Sequence, residues 1–192
     1  MEKNSIILNI LKILLYLLFA FVINQSMQYI FPAANSYPDF FLTLIWAFSY
    51  LFGGTWSFLV IILSGFLRDW LFSPIMGLSI LIGILTALFS SNVLQVVWQR
   101  KPFFFPVQAI MLHFIAKLIE TIVYQLNYSF QFDLSIQIPV IWRAFTANLG
   151  PSLGLNLIAS LIWLLILRYL IPFEKIEKDA YAEEIANLKE IV

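Results

Sequence analysis

Long apolar runs, separated by short polar or proline-containing breaks, occupy most of the chain. A helix needs about 20 mostly apolar residues to cross a bilayer, with a range of about 17–25. Six runs approach or reach this length: Ser5–Ile30, Asp39–Phe52, Thr55–Phe72, Met76–Trp98, Phe103–Gln125 and Leu149–Ile171. The pattern predicts an all-α membrane protein, in which residues 1–172 form a compact bundle of six transmembrane helices.

The second run is short for a membrane crossing. Its 14 residues would rise about 21 Å as a helix, against a hydrocarbon core of about 30 Å. The second and third runs, hinged at Gly53-Gly54, therefore form either a tilted hairpin or a partly re-entrant pair. A short helix is tolerated when its neighbours absorb the mismatch, and a re-entrant pair must be covered by protein.

Lysine and arginine occur at alternate connections between the runs. They lie at Lys3 and Lys12, at Arg100 and Lys101, and at Arg168, Lys175 and Lys178, whereas residues 31–38, 73–75 and 126–139 contain none. Because Lys and Arg favour the cytoplasmic side, this distribution predicts six crossings with both termini cytoplasmic. The first run exceeds a signal-peptide core and lacks a small-residue cleavage site, so we expect it to be retained.

The composition supports a membrane environment and argues against several function classes. Hydrophobic residues make up 61% of the chain and charged residues 11%, with zero net charge, no cysteine and one histidine. Soluble domains contain about 25% charged residues. The sequence has no H-E-x-x-H zinc motif, no Walker loop and no basic block. We therefore expect no enzymatic activity, metal, cofactor or nucleic-acid partner.

Two segments outside the runs leave alternatives open. Residues 173–192 form either a cytoplasmic amphipathic helix that docks a partner or a solvated, frayed tail; the apolar positions of the helix are Ile176, Tyr181, Ile185, Leu188 and Val192. The net acidity of this tail argues against anionic lipid as its partner. The connection Tyr128–Arg143 alternates in part, which fits an interfacial strand or a flat amphipathic loop.

Polar residues inside the runs predict a polar interior. One helical face of the fifth run carries His113, Lys117, Glu120 and Tyr124, and the sixth run repeats the spacing with Asn148, Ser152, Asn156 and Ser160. The third run ends in Arg68 and Asp69, and adjacent helical residues do not face each other. These two charges should therefore have separate partners.

With the predicted topology, the charged residues gather in the outer half of the membrane. They are Asp39, Arg68, Asp69, Lys117, Glu120 and Arg143, with His113 nearby. We consider three interpretations: a structural set of interhelical salt bridges, a ligand or transport pocket, and a proton relay through His113, Lys117 and Glu120. Paired charges are the ordinary solution for charges within a membrane, which favours the first interpretation.

Small residues mark candidate helix contacts. Gly83 lies four residues before Ala87, and Gly150 lies four residues before Gly154. Such spacings permit close approach of helix backbones.

The order of short elements in residues 38–78 resembles that of the MreD family of bacterial rod shape-determining membrane proteins. These elements are Pro38-Asp39 before an apolar run, the Gly53-Gly54 turn, Gly65-Phe66-Leu67-Arg68-Asp69, and Gly77-Leu78. The length, the six predicted spans and the predicted cytoplasmic ends are similar as well. By this resemblance Asp39, Gly65 and Asp69 are family-typical positions.

The resemblance implies a non-enzymatic scaffold of the cell-elongation (rod) complex in the bacterial cytoplasmic membrane. Such a scaffold binds MreC directly and is linked to MreB, to RodA and to a class B penicillin-binding protein, with membrane lipid around it. It also implies a fold similar to the substrate-binding (S) subunits of energy-coupling-factor vitamin transporters.

That fold similarity makes an S subunit the main alternative. Its outer-half pocket would use Asp69, Lys117, Glu120 and Tyr124 as ligand contacts. S subunits often present spaced alanines on the first helix to the coupling partner, whereas Leu11–Val22 contains Ala20 alone, which disfavours this alternative. A third class, a lipid-interacting or flippase-like protein, has no specific support.

Overall fold

The computed structural model of the chain describes residues 2–31, 36–52, 54–90, 104–132, 137–147 and 149–173. Most of these residues are helical, and none of them forms a strand. The helices are α1 (Glu2–Ile30), α2 (Phe40–Leu51), α3 (Gly54–Phe72), α4 (Leu78–Phe89), α5 (Phe105–Phe132), α6 (Ile138–Thr146) and α7 (Leu149–Leu165), and α7 continues as a π-helical turn over Ile166–Leu170. The prediction of an all-α chain is confirmed.

Polar contacts bring one set of helix ends together, and we name this region the polar end. Near the end of α1, Asn24 Oδ1 accepts a hydrogen bond from the backbone nitrogen of Phe40 at the start of α2 (3.3 Å). The end of α3 meets the start of α4, since Asp69 binds the backbone nitrogen of Ser79. The start of α7 joins them, because Asn156 Oδ1 accepts from the backbone nitrogen of Asp39 (2.7 Å).

The opposite ends of the same helices also meet one another. In the first half of α1, Lys12 Nζ donates to the carbonyl of Pro172 (2.8 Å), and Tyr16 Oη donates to that of Ile171 (2.6 Å). Phe173 packs edge-on against Phe48 near the end of α2. Consecutive helices from α1 to α4 therefore alternate in direction, and the start of α1 lies at the same end of the bundle as the end of α7.

The short helix α2 forms the centre of the bundle. All of its residues from Phe40 to Tyr50 are buried, and it contacts α1, α3, α4, α5 and α7. Its 12 residues rise about 18 Å, well short of a bilayer core of about 30 Å. Since protein surrounds α2 on every side, its length does not have to match the lipid.

Four described helical segments are long and apolar enough to cross a membrane: Ile6–Ile30, Thr55–Phe72, Phe105–Phe132 and Leu149–Leu170. The apolar helices α2 and α4 are shorter as described. Large apolar side chains such as Leu11, Leu14 and Leu18 are exposed on the surface of α1, as expected for a lipid-facing helix. Membrane character is thus supported, whereas six crossings and cytoplasmic termini stay predictions.

The connection between the fifth and sixth runs differs from both sequence-based alternatives. Helix α5 continues to Phe132, and the short helix α6 follows after residues 133–136. Apart from the N-cap residue Gln137, the described parts of Tyr128–Arg143 are therefore helical. Phe130, Phe132 and Ile138 are exposed apolar residues, so their alternation does not mark a strand with one buried face.

Some predicted features lie outside the described residues. They are the tail helix after residue 173, Gly53 of the hinge, Asn148, and the basic pair Arg100 and Lys101. Gly54 begins α3 directly after the hinge.

The family-typical Gly65 and the proposed packing residue Gly83 both lie at close helix contacts. A Cβ atom on Gly65 would lie 2.9 Å from the backbone nitrogen of Ile80, so α3 and α4 touch there. A Cβ atom on Gly83 would lie 2.9 Å from Ile61 Cγ2 and 3.2 Å from Ile45 Cδ1. Gly83 therefore packs α4 against both α3 and α2.

Gly150 and Gly154 show no such contact in the described part of the chain. Apart from the backbone of their own helix, no described atom lies within 4 Å of a Cβ built on either residue. The spacing of small residues permits a close contact between helices, but it does not determine whether another helix packs against them. In α7 the contact side is formed instead by larger residues, among them Asn156 and Trp163.

Candidate functional site

Arg68 is the centre of a charge cluster at the polar end. Its Nε atom pairs with Asp39 Oδ2, and its Nη2 atom lies 2.5 Å from Glu120 Oε1. A third donor, Nη1, binds Ser79 Oγ at 2.6 Å. The side chains of Arg68, Asp39 and Glu120 are 12%, 20% and 15% exposed, so water screens these pairs little. The planar guanidinium thus connects α3 to α4, α5 and the start of α2.

Asp39 and Asp69 each satisfy the N-terminus of a helix. Asp39 Oδ1 accepts from the backbone nitrogen of Leu42 (2.9 Å), as an N-cap of α2. The buried Asp69 accepts from the backbone nitrogen of Ser79 at 3.1 and 3.0 Å. It serves the N-terminus of α4 from the neighbouring helix because the N-cap residue there, Gly77, has no side chain and a positive φ of 88°.

Further polar side chains bind the first turn of α2. Ser64 Oγ donates to the carbonyl of Phe41 (2.9 Å), and Trp163 Nε1 donates to that of Phe40 (2.8 Å). Together with Asn24 and Asn156, they attach this turn to α1, α3 and α7. The charge cluster therefore forms one part of a larger set of bonds around the start of α2.

His113 lies between α5 and α7 with both ring nitrogens engaged. Its Nδ1 is 3.2 Å from Asn156 Nδ2, and its Nε2 is 3.2 Å from Ser152 Oγ. Since Asn156 Oδ1 accepts from Asp39, its Nδ2 faces His113 and donates. Nδ1 must then be the acceptor, which assigns the neutral tautomer with the proton on Nε2.

Residues 150–154 also carry the letters G-x-S-x-G of the hydrolase nucleophile motif, which we interpreted above as a packing pattern alone. That motif requires a strand-to-helix turn, whereas Ser152 lies in the first turn of α7. In the assigned tautomer, His113 donates its proton to Ser152 Oγ, which donates in turn to the carbonyl of Leu149 (3.1 Å). A catalytic histidine must instead accept the serine proton. This Ser–His pair is therefore arranged as a packing contact.

Lys117 differs from the other charged residues at the polar end. It is half-buried on α5, and its ammonium group forms no hydrogen bond or ion pair with the described residues. It lines a cavity of about 290 Å³, together with Asn24, Tyr37, Asp39, Phe72 and Ser152. Asp69, Glu120 and Tyr124, the other expected ligand contacts of an S subunit, do not line it.

The structure thus divides the predicted charge network. It brings Asp39, Arg68 and Glu120 together, joins Asp69 of α3 to the start of α4, and leaves Lys117 facing the cavity. Arg143 does not join the cluster: it lies exposed in the last turn of α6, a helix with no buried residue. Tyr124 Oη instead lies 3.3 Å from Ser73 Oγ.

Sequence reasoning missed Asn24, although Gln28 follows it by four residues on the same helical face of the first apolar run. A buried asparagine in such a run is itself a signal of an interhelical hydrogen bond.

Comparison with protein-family models, with curated proteins and with solved structures gave no match for this chain. Function is therefore argued from the residues and their geometry.

Proposed function

We propose that the protein is a non-enzymatic membrane scaffold of the bacterial cell-elongation complex, similar in role to MreD. In this proposal it crosses the cytoplasmic membrane six times with both termini inside and binds an MreC-like protein directly. That partner connects it to an MreB-like filament and to the RodA and penicillin-binding protein synthase of peptidoglycan.

The observation that carries the proposal is that the residues of the MreD-like pattern hold the helices together. Asp39 caps α2 and pairs with Arg68, and Asp69 binds the start of α4. Gly65 permits the contact with Ile80, and Gly77 supplies the left-handed residue before α4. The charged side chains of this set bind one another or helix N-termini inside the bundle, which suits a rigid scaffold better than a reacting site.

The S-subunit alternative is favoured by one observation, the cavity beside Lys117. Two others oppose it. Asp69 and Glu120 are already bound inside the bundle. Ala20, the one alanine expected to face a coupling partner, is completely buried in the core.

Depletion of the protein in the rod-shaped bacterium that carries it tests the proposal. We expect the cells to become round while the growth medium supplies all vitamins. Rods of normal length that grow only with an added vitamin would instead support the S subunit.

Copurification tests the partner. An MreC-like protein should copurify with the wild-type protein, and the Asp69→Ala variant should retain less of it because the joint between α3 and α4 is weakened. The exposed Arg143→Ala variant is the control and should retain the wild-type amount. The role of this joint in the scaffold would be contradicted if the Asp69→Ala variant had unchanged thermal stability and retained the wild-type amount of the MreC-like protein.

A further inference from the structure

The short helix α6 has two chemically different sides. Its large apolar residues are separated by three or four positions from one turn to the next, so they share one side: Ile138, Ile141, Trp142 and Phe145. The opposite side carries the exposed Arg143. This division of side chains is typical of a helix that lies between an apolar and a polar environment.

The described part of the chain covers little of α6. None of the nine residues of this helix is buried, and Ile138 and Trp142 are 79% and 64% exposed. Isolated helices shorter than about 12–15 residues are only marginally stable in water. An apolar environment that receives the apolar side would therefore stabilise α6.

One contact shows which way the apolar side faces. The ring of Phe145 lies against the ring of Phe114 on α5, with centroids 6.4 Å apart. Phe114 precedes Glu120 of the charge cluster by six residues, which places it about 9 Å further from the polar end along α5. Because α6 ends at Thr146, just before α7 begins at the polar end, Phe145 reaches inward along α5.

The surface that Phe145 meets on α5 is itself exposed and apolar. Phe114 belongs to a stripe of exposed apolar residues at helical spacing: Met111, Phe114, Leu118 and Ile122. The stripe lies on a helix that is long and apolar enough to cross a membrane. A contiguous exposed apolar surface on such a helix is a membrane-contact surface. The apolar side of α6 continues this surface.

We infer that α6 is an interfacial helix, whose apolar side is seated in the lipid of the bilayer beside α5 and whose Arg143 side faces headgroups and water. Tryptophan, here Trp142, is enriched at this level of a membrane. The candidate spans Phe105–Phe132 and Leu149–Leu170 flank α6 and hold it at the membrane surface. The inference rests on the membrane character of the chain and is compatible with either proposed function.

Single nitroxide labels test the orientation of α6, because the sequence contains no cysteine of its own. Ile138→Cys and Trp142→Cys place a label on the apolar side. Val140→Cys and Arg143→Cys place it on the opposite side, where Val140 is the matched apolar control. All four side chains are exposed, so the substitutions leave the packing of the bundle intact.

Each labelled full-length protein is reconstituted into vesicles of phosphatidylcholine and phosphatidylglycerol. Electron paramagnetic resonance then measures collisions of the label with oxygen, which concentrates in lipid, and with a nickel chelate, which stays in water. The ratio of oxygen to nickel collisions should be several times higher for Ile138→Cys and Trp142→Cys than for Val140→Cys and Arg143→Cys.

Three results would overturn the inference. Equal ratios at the four positions would show that α6 has no lipid-facing side. Low access of both reagents to the Ile138→Cys and Trp142→Cys labels, with spin–spin broadening, would show that a second copy of the chain covers the apolar side. Low access without broadening would show that other residues of the same chain cover it.

Discussion

Arg68 and Asp69 are adjacent in α3, yet they bind different parts of the bundle. Arg68 pairs with Asp39 and Glu120, whereas the two carboxylate oxygens of Asp69 share the single backbone N–H of Ser79. Consecutive helical residues point about 100° apart. Two neighbouring residues can therefore connect one helix to α2, α4 and α5 at once, which makes this short stretch the joint of the polar end.

Among substitutions in the charge cluster, removal of its one cation, Arg68, should lower the stability of the bundle most. Arg68→Met leaves Asp39 and Glu120 without their shared partner, and breaking such a buried pair costs about 3–5 kcal/mol. The double variant Arg68→Met/Glu120→Gln removes one of the orphaned charges and should be more stable than the single variant. Unfolding midpoints in micelles measure both, with Arg143→Met as the exposed control. A double variant that is less stable than the single would contradict this account.

Asp69 should matter to the fold through the N-terminus of α4. Asp69→Ala removes the acceptor for the Ser79 nitrogen, and loss of such a cap costs about 0.5–2 kcal/mol. Asp69→Asn retains an acceptor oxygen and should lose less. Hydrogen exchange of amides in the first turn of α4 measures the effect locally. Equal protection in wild-type protein and Asp69→Ala would argue against this role.

Gly65 and Gly154 give a matched pair of substitutions. Gly65→Ala forces a Cβ atom to within 2.9 Å of the Ile80 backbone, so α3 and α4 must separate. Gly154→Ala adds the same atom in open space, and the better helix propensity of alanine should stabilise α7 by about 0.5–1 kcal/mol. Opposite shifts of the unfolding midpoint are expected. A loss of stability in both variants would show that α7 has a close neighbour at Gly154.

The contrast between these glycines shows how much the sequence could predict. Apolar length and helical spacing located the helices, because burial in lipid or protein imposes that pattern on each helix separately. The separate partners of Arg68 and Asp69 followed from helix geometry as well. Which helix faces a given side chain depends on the packing of the whole bundle. The spacing of residues within one helix does not specify that facing helix.

The charged face of α5 illustrates the same limit. Its spacing placed His113, Lys117 and Glu120 on one side of the helix, and all three do point towards the bundle. Their partners differ nevertheless: Glu120 meets Arg68, His113 meets α7, and Lys117 meets the cavity. Neighbouring positions on one face are about 5–6 Å apart, enough for each to meet a different element.

The tautomer of His113 is open to direct measurement, because it is the one histidine of the chain. With ¹⁵N-labelled histidine, the wild-type protein should show the proton on Nε2 and a lone pair on Nδ1. Asn156→Asp keeps the acceptor for the Asp39 nitrogen but presents an oxygen to Nδ1, so the proton should move to Nδ1. Ser160→Ala, one turn further along α7, is the control and should leave the spectrum unchanged, because Ser160 Oγ binds the carbonyl of Leu157 in its own helix. A wild-type spectrum with the proton on Nδ1 would reverse the assignment and restore Nε2 as a possible base for Ser152.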